Sequence, residues 1–138
     1  FGHIKQNNIS MTAPVEMSLD EKTGERKTMA FLYANKQLGT AGLQESGVNV
    51  LDQVAQDYLS IGMTGRESTE LIKIAVKKLE AWLDANPAYA HQGGARLLGY
   101  NSPMIPNSKR FWEVHLTQNW GDFRGSSLAS LHGSSLLC

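Results

Sequence analysis

One stretch of this chain carries a clear helical stripe, and the segments around it alternate like strands. Leu71, Ile72, Ala75, Val76, Leu79, Trp82 and Leu83 recur at helical spacing, with Lys73, Lys77, Lys78 and Glu80 mostly outside the stripe. Thr64-Gly65-Arg66-Glu67 has the spacing of a capping box and predicts where the helix begins, while Pro87 ends it. A lone amphipathic helix cannot bury its apolar face on itself, so that face must lie on a sheet.

Strand signals supply the sheet. Ile9, Met11, Ala13, Val15 and Met17 alternate with polar neighbours, which predicts a half-buried strand. Pro14 cannot donate to a ladder, so the pattern places this strand at an edge or gives it a bulge. Residues 20–25 read as a polar hairpin loop, and residues 28–33 (TMAFLY) as a more central strand. Residues 35–47 contain three glycines and read as a loop. Residues 48–63 fit a helix and strands about equally well on pattern alone. Further strands are expected over residues 95–100 and from Arg110 to about Thr117, joined through an Asn101-Ser102-Pro103 turn and a loop held by Pro106. The order of elements predicts an α+β fold with an antiparallel sheet covered by a helix.

Composition narrows the function. Lys plus Arg and Asp plus Glu both number 13, so there is no basic excess to favour nucleic acid or an anionic membrane. No apolar run approaches the roughly 18 residues of a membrane span. The single cysteine, Cys138, can form no internal disulfide, which is compatible with a reducing compartment such as the cytoplasm without fixing the localisation. Phe1 rather than methionine opens the sequence, as expected of a chain that starts after processing or inside a longer reading frame.

Catalytic signatures are not found: the sequence has no Cys-x-x-Cys, His-Glu-x-x-His, Walker loop or Gly-x-Ser-x-Gly. His3, His91, His115 and His132 are scattered. His115 is expected to be a surface or hydrogen-bonded residue opposite the Trp112/Val114 face, and His91 to be exposed in a polar loop before Gly93-Gly94. Glu16, Asp57 and Glu113 have no spacing that brings any two together for acid/base work. Lys109-Arg110-Phe111-Trp112 mixes basic and aromatic residues but has no second patch to support it as a nucleic-acid site. The expectation is a non-enzymatic domain.

Two motifs carry a resemblance. Met11-Thr12-Ala13-Pro14-Val15, within Asn8 to Met17, resembles the M-T-x-P-V motif of the SOUL haem-binding family. Tyr100-Asn101-Ser102-Pro103, followed by Pro106 and by Arg110 with Glu113-Val114, is similar to its Y-N-x-P…P…R-x-x-E-V block. The resemblance covers residue 1 to about residue 116. It implies a distorted antiparallel β-barrel of two pseudo-symmetric β-α-β-β units, whose first strand and most of whose first helix precede Phe1. It also implies strands at residues 48–52 and 57–63, with a kink between them. The domain is then expected over residues 1–117, followed by a Gly/Ser-rich tail, 118–138, too poor in apolar residues to order itself.

For function the resemblance implies non-covalent binding of haem or porphyrin in a shallow apolar groove, with the protein as carrier or buffer. The partner would be a small hydrophobic tetrapyrrole, not nucleic acid. Phe1 and Ile4, at the end of the first helix, are the leading groove candidates, with Met11 and Leu32 behind them. Arg110 would either bond within the fold or hold a propionate, and His3 is the candidate axial ligand. An uncovered apolar surface and an unpaired sheet edge would leave a truncated chain unstable or oligomeric. The alternative is a small-molecule sensor of the gyrase-inhibitor-like type, with Glu16 and Glu113 as the acidic residues for cationic ligands.

Overall fold

The computed structural model describes residues 13–34, 40–43, 48–53, 55–120 and 136–137. Its strands are β1 (Val15–Leu19), β2 (Arg26–Tyr33), β3 (Gly42–Leu43), β4 (Asn49–Asp52), β5 (Asp57–Thr64), β6 (Tyr89–Gly99), β7 (Phe111–Trp120) and β8 (Leu136–Leu137). The helix α1 (Thr69–Ala85) lies between β5 and β6, and a single 3-10 turn, Asn107–Lys109, precedes β7.

The sheet runs β3-β4-β8-β2-β1-β6-β7-β5, and every pairing in it is antiparallel. At its centre two hairpins, β1–β2 and β6–β7, stand back to back across the β1–β6 pair, where Met17 faces Leu97. That approximate two-fold arrangement bears out the α+β, pseudo-symmetric architecture. Among the described residues the two end strands, β3 and β5, do not pair with each other, so the sheet is barrel-like without closing.

Register explains the core. Met17, Leu97, Val114 and Ile61 lie in one row across β1, β6, β7 and β5, because each faces the next across its ladder. Side chains alternate along a strand, so Leu19, Ala95, Trp112 and Leu116 share this face. Onto it α1 lays Ile72, Ala75, Val76, Leu79 and Leu83, closing the main apolar cluster. Trp112 is buried with its indole N–H donating to the Gly65 carbonyl at 3.3 Å.

Besides the short strands β3, inside the stretch read as a loop, and β8, inside the expected tail, three details differ from the sequence reading. The helix is capped by Ser68, whose hydroxyl accepts from Leu71 N–H at 3.3 Å, and not by the Thr64–Glu67 box. Thr64 still belongs to β5, facing Phe111, and the chain turns only at Gly65 with φ +97°. Glu67 pairs instead with Arg26, 3.0 Å away. Second, β1 is not an edge strand, since β2 and β6 flank it on both sides. Pro14 is tolerated because it lies one residue before the ladder. Third, β6 begins at Tyr89, well before residue 95, so His91 lies in a strand, with a register shift between His91 and Ala95.

The hairpin loop and the kinked segment agree with expectation. Asp20 Oδ1 accepts the N–H groups of Lys22 (2.9 Å) and Thr23 (3.0 Å), holding the β1–β2 turn. These bonds, the Thr23 one foremost, with the Lys27 ammonium, keep the Asp20 carboxyl down at about 2. Residues 48–63 form strands β4 and β5, as the resemblance implied. Their helical spacing is overridden by tertiary pairing of β5 with β7 over its whole length.

Candidate functional site

The two faces of the sheet differ in chemistry. On the helix side, α1 packs on β5, β6 and β7, leaving the β1–β2 end of the same face with less cover. Val15 faces Phe31 and Met17 faces Met29 in that hairpin, so all four belong to this face. Met29 is 60% exposed, whereas Val114, in the same row and under the helix, is fully buried. Among the described residues the result is a partly covered apolar strip beside α1.

The opposite face holds a polar network that the sequence did not disclose. Arg96 Nη1 donates to Glu16 Oε2 at 2.6 Å, both side chains being largely buried. Arg96 also donates from Nε and Nη2 to His115 Nδ1, at 3.4 and 3.3 Å. With Nδ1 accepting, His115 Nε2–H donates to Glu113 Oε2 at 3.0 Å. Tyr100 Oη donates to the same carboxylate oxygen at 2.7 Å. The Tyr58 ring lies under the Arg96 guanidinium, 3.6 Å from its centroid, and 5.5 Å from the His115 ring.

Burial and hydrogen bonds set the protonation here. Desolvation lowers His115 below its ordinary 6.5, helped by the Arg96 charge and opposed by Glu113. For Glu113, burial acts upward but is outweighed by the bonds from Tyr100 and His115, so its pKa falls. Burial, then the bond to Glu113, pushes Tyr100 up to about 12. Glu16 and Glu113, which no spacing linked, are thus joined through Arg96 and His115. Asp57 is not part of this network; it stands at the start of β5, facing Gln118.

The sequence-derived site residues are placed as follows. Phe1, His3, Ile4 and Met11 lie outside the described residues. Leu32, next to Phe31 in β2, alternates onto the other face and pairs through its backbone with Leu137. Arg110 clasps its own loop, with Nε donating to the Ile105 carbonyl (2.9 Å) and Nη2 to that of Pro103 (2.8 Å). Asn101 supports the same turn by accepting the Phe111 N–H on Oδ1. Trp112 faces the core and Arg110 the loop, so the Lys109–Trp112 segment does not form a joint basic-aromatic patch.

His91 corrects an expectation. It is half-buried, with Nδ1 3.1 Å from the Thr117 carbonyl and Nε2 3.2 Å from Glu21 Oε2, so it ties the hairpin loop to the β6 bulge. Glu21 Oε1 also receives the Gly94 N–H. Gly93 and Gly94 take positive φ of 79° and 95°, which permits the bulge that turns His91 toward Glu21.

Both ring nitrogens of His91 and of His115 are engaged, so neither offers iron an imidazole without losing a partner. Among the described residues no group of three or more His, Cys, Asp or Glu is placed to hold a metal. A cleft of about 260 Å³ by the N-terminus of α1 is walled by Glu25, Arg26, Glu67 and Ser68, too small and polar for a tetrapyrrole. The apolar strip at Met17, Met29 and Phe31 supplies no ligand to iron. No described helix is long and apolar enough to cross a membrane.

Sheet order and a single described helix packed on one face define an α+β domain. The family model described as SOUL heme-binding protein matches residues 1–117, and the chain belongs to that family. No curated protein and no solved structure matches it.

Proposed function

We propose that this chain binds haem or a related tetrapyrrole non-covalently and acts as a carrier or buffer, without catalysing its turnover. The family match over residues 1–117 is the observation that carries this reading. The strip of Met17, Met29, Phe31 and Val15 supports it, since a planar apolar ligand there removes the exposed Met29 side chain from water. Phe1, Ile4 and Met11 are proposed to complete the groove, and His3 to be the axial ligand where iron is bound. When present, the tetrapyrrole supplies the metal and its redox chemistry; the described residues supply an apolar floor. Arg110, with two donors committed to its loop, holds that loop and leaves its remaining N–H groups for a propionate.

Titration with hemin and with iron-free protoporphyrin, followed by absorbance and fluorescence, tests the reading. Saturable low-micromolar binding of both, weakened about ten-fold by Met29→Asp, is expected, because a carboxylate on the strip would have to be desolvated. Preference for hemin that disappears in His3→Ala would assign the axial ligand. Absence of binding by either compound sinks the proposal.

A second reading draws support from the polar network. Glu16 is neutralised by Arg96, but Glu113 is paired only with uncharged donors, leaving net negative charge on that face. A small organic cation would find its counter-charge there, as in an effector-sensing domain. Binding of organic cations lost in Glu113→Gln, with hemin binding absent, would favour this reading over the first.

A further inference from the structure

We propose that the outer edge of β5 is a self-pairing surface, through which two copies of this chain join into one continuous sheet. Among the described residues β5 pairs with β7 alone, so no described strand meets the backbone groups on its other side.

The ladder fixes which groups these are. Gly65 N–H donates to the Arg110 carbonyl, immediately beyond the Thr64–Phe111 pair. Alternation along the strand then directs Met63, Ile61, Leu59 and Asp57 toward β7. Tyr58, Ser60, Gly62 and Thr64 therefore turn their N–H and C=O groups outward.

The usual protections of an edge are missing from this strand. It has no proline, no lysine and no bulge, and its pairing with β7 is regular over its whole length. A second antiparallel copy fits with the two-fold axis at Ile61. In that register Tyr58 meets Thr64 of the partner subunit and Ser60 meets the partner's Gly62, each pair exchanging two hydrogen bonds. All four outward residues are then used.

Charge favours the same arrangement. The strand begins with Asp57 and is followed by the exposed Arg66. Antiparallel pairing about Ile61 puts Asp57 opposite the partner's Gly65, adjacent to the partner's Arg66, and does so at both ends. A parallel pairing would bring like charges together instead. The apolar side chains of Leu59, Ile61 and Met63 continue the helix-side face across the junction.

Analytical ultracentrifugation of the full chain across a concentration series tests the proposal, independently of tetrapyrrole binding. The expected result is a mass rising with concentration from 15.2 kDa toward twice that value. Ser60→Pro removes an outward N–H while sparing the β7 ladder, so it should keep the protomer mass with an unchanged circular dichroism spectrum. Ser60→Ala should associate like the parent. As a readout that does not depend on the proline variant folding, Ile61→Cys in a Cys138→Ser background should oxidise to a linked dimer. At the axis the two Cα atoms would stand about 4.5 Å apart, within disulfide reach. A protomer mass at every concentration, or a dimer that ignores Ser60→Pro and gives no Ile61→Cys cross-link, overturns it.

Discussion

Arg96 and Glu16 meet at 2.6 Å on the face of the sheet away from the helix, although they are 80 residues apart in sequence. The same guanidinium stacks on Tyr58 and reaches His115, so one side chain ties β1, β5, β6 and β7 together. Removing it leaves a mostly buried carboxylate without its counter-charge. Arg96→Ala is therefore expected to cost about 3 kcal/mol of stability, read from the urea midpoint. The double variant Glu16→Gln with Arg96→Met should recover much of that loss, because no buried charge then stands alone. A double variant no more stable than Arg96→Ala would show that packing on Tyr58, not charge pairing, is what matters.

Acid should weaken this network through His115. Its folded-state pKa lies below 6.5, so the unfolded chain takes up the proton more readily. The site's contribution is complete above pH 6.5 and is lost as pH falls through the depressed value. Stability measured from pH 7.5 downward should therefore decline, and His115→Gln should flatten that slope. An identical slope in the variant would mean that other groups set the acid limit.

Alkali acts on Tyr100 in the opposite sense. Its pKa is raised to about 12, so the fold retains the phenolic proton more strongly than the unfolded chain does. The stabilisation is intact below about pH 10 and disappears as pH rises through the folded value. An ultraviolet phenolate titration should show a late-titrating tyrosine that is missing in Tyr100→Phe.

The helix start offers a local check. Ser68→Ala removes the acceptor for Leu71 N–H and should destabilise the protein by about 1 kcal/mol. Thr64→Ser keeps the hydroxyl while lowering strand propensity, and it should leave helix stability unchanged. If Thr64 variants, rather than Ser68 variants, loosened the first turn of α1 in hydrogen exchange, the capping assignment would be wrong.

Arg110→Ala should speed amide exchange in residues 101–109, because two of the loop's carbonyls lose their donor. Hemin affinity separates the two roles considered for it. A change confined to exchange rates leaves Arg110 as the loop's clasp. A parallel loss of hemin affinity, smaller for a propionate-blocked porphyrin, assigns it a contact with the ligand as well.

Local signals in the sequence reached a good part of this architecture. The stripe from Leu71 to Leu83 fixed the helix, and alternation fixed the strand from Arg110 onward, because burial on one face imposes a period that survives in the residues themselves. The paired motifs around Pro14 and around Arg110 led to the family, and with it to strands β4 and β5, where periodicity was indecisive. Non-local placement was decided by the tertiary structure alone. That β1 is central, that Ser68 rather than Thr64 caps α1, and that His91 reaches Glu21 all depend on which strands pair and in what register. The network of Glu16, Arg96, His115 and Glu113 is the clearest instance. Its members come from three strands, and only the antiparallel register brings them to one face, where low solvent exposure makes their charges interact.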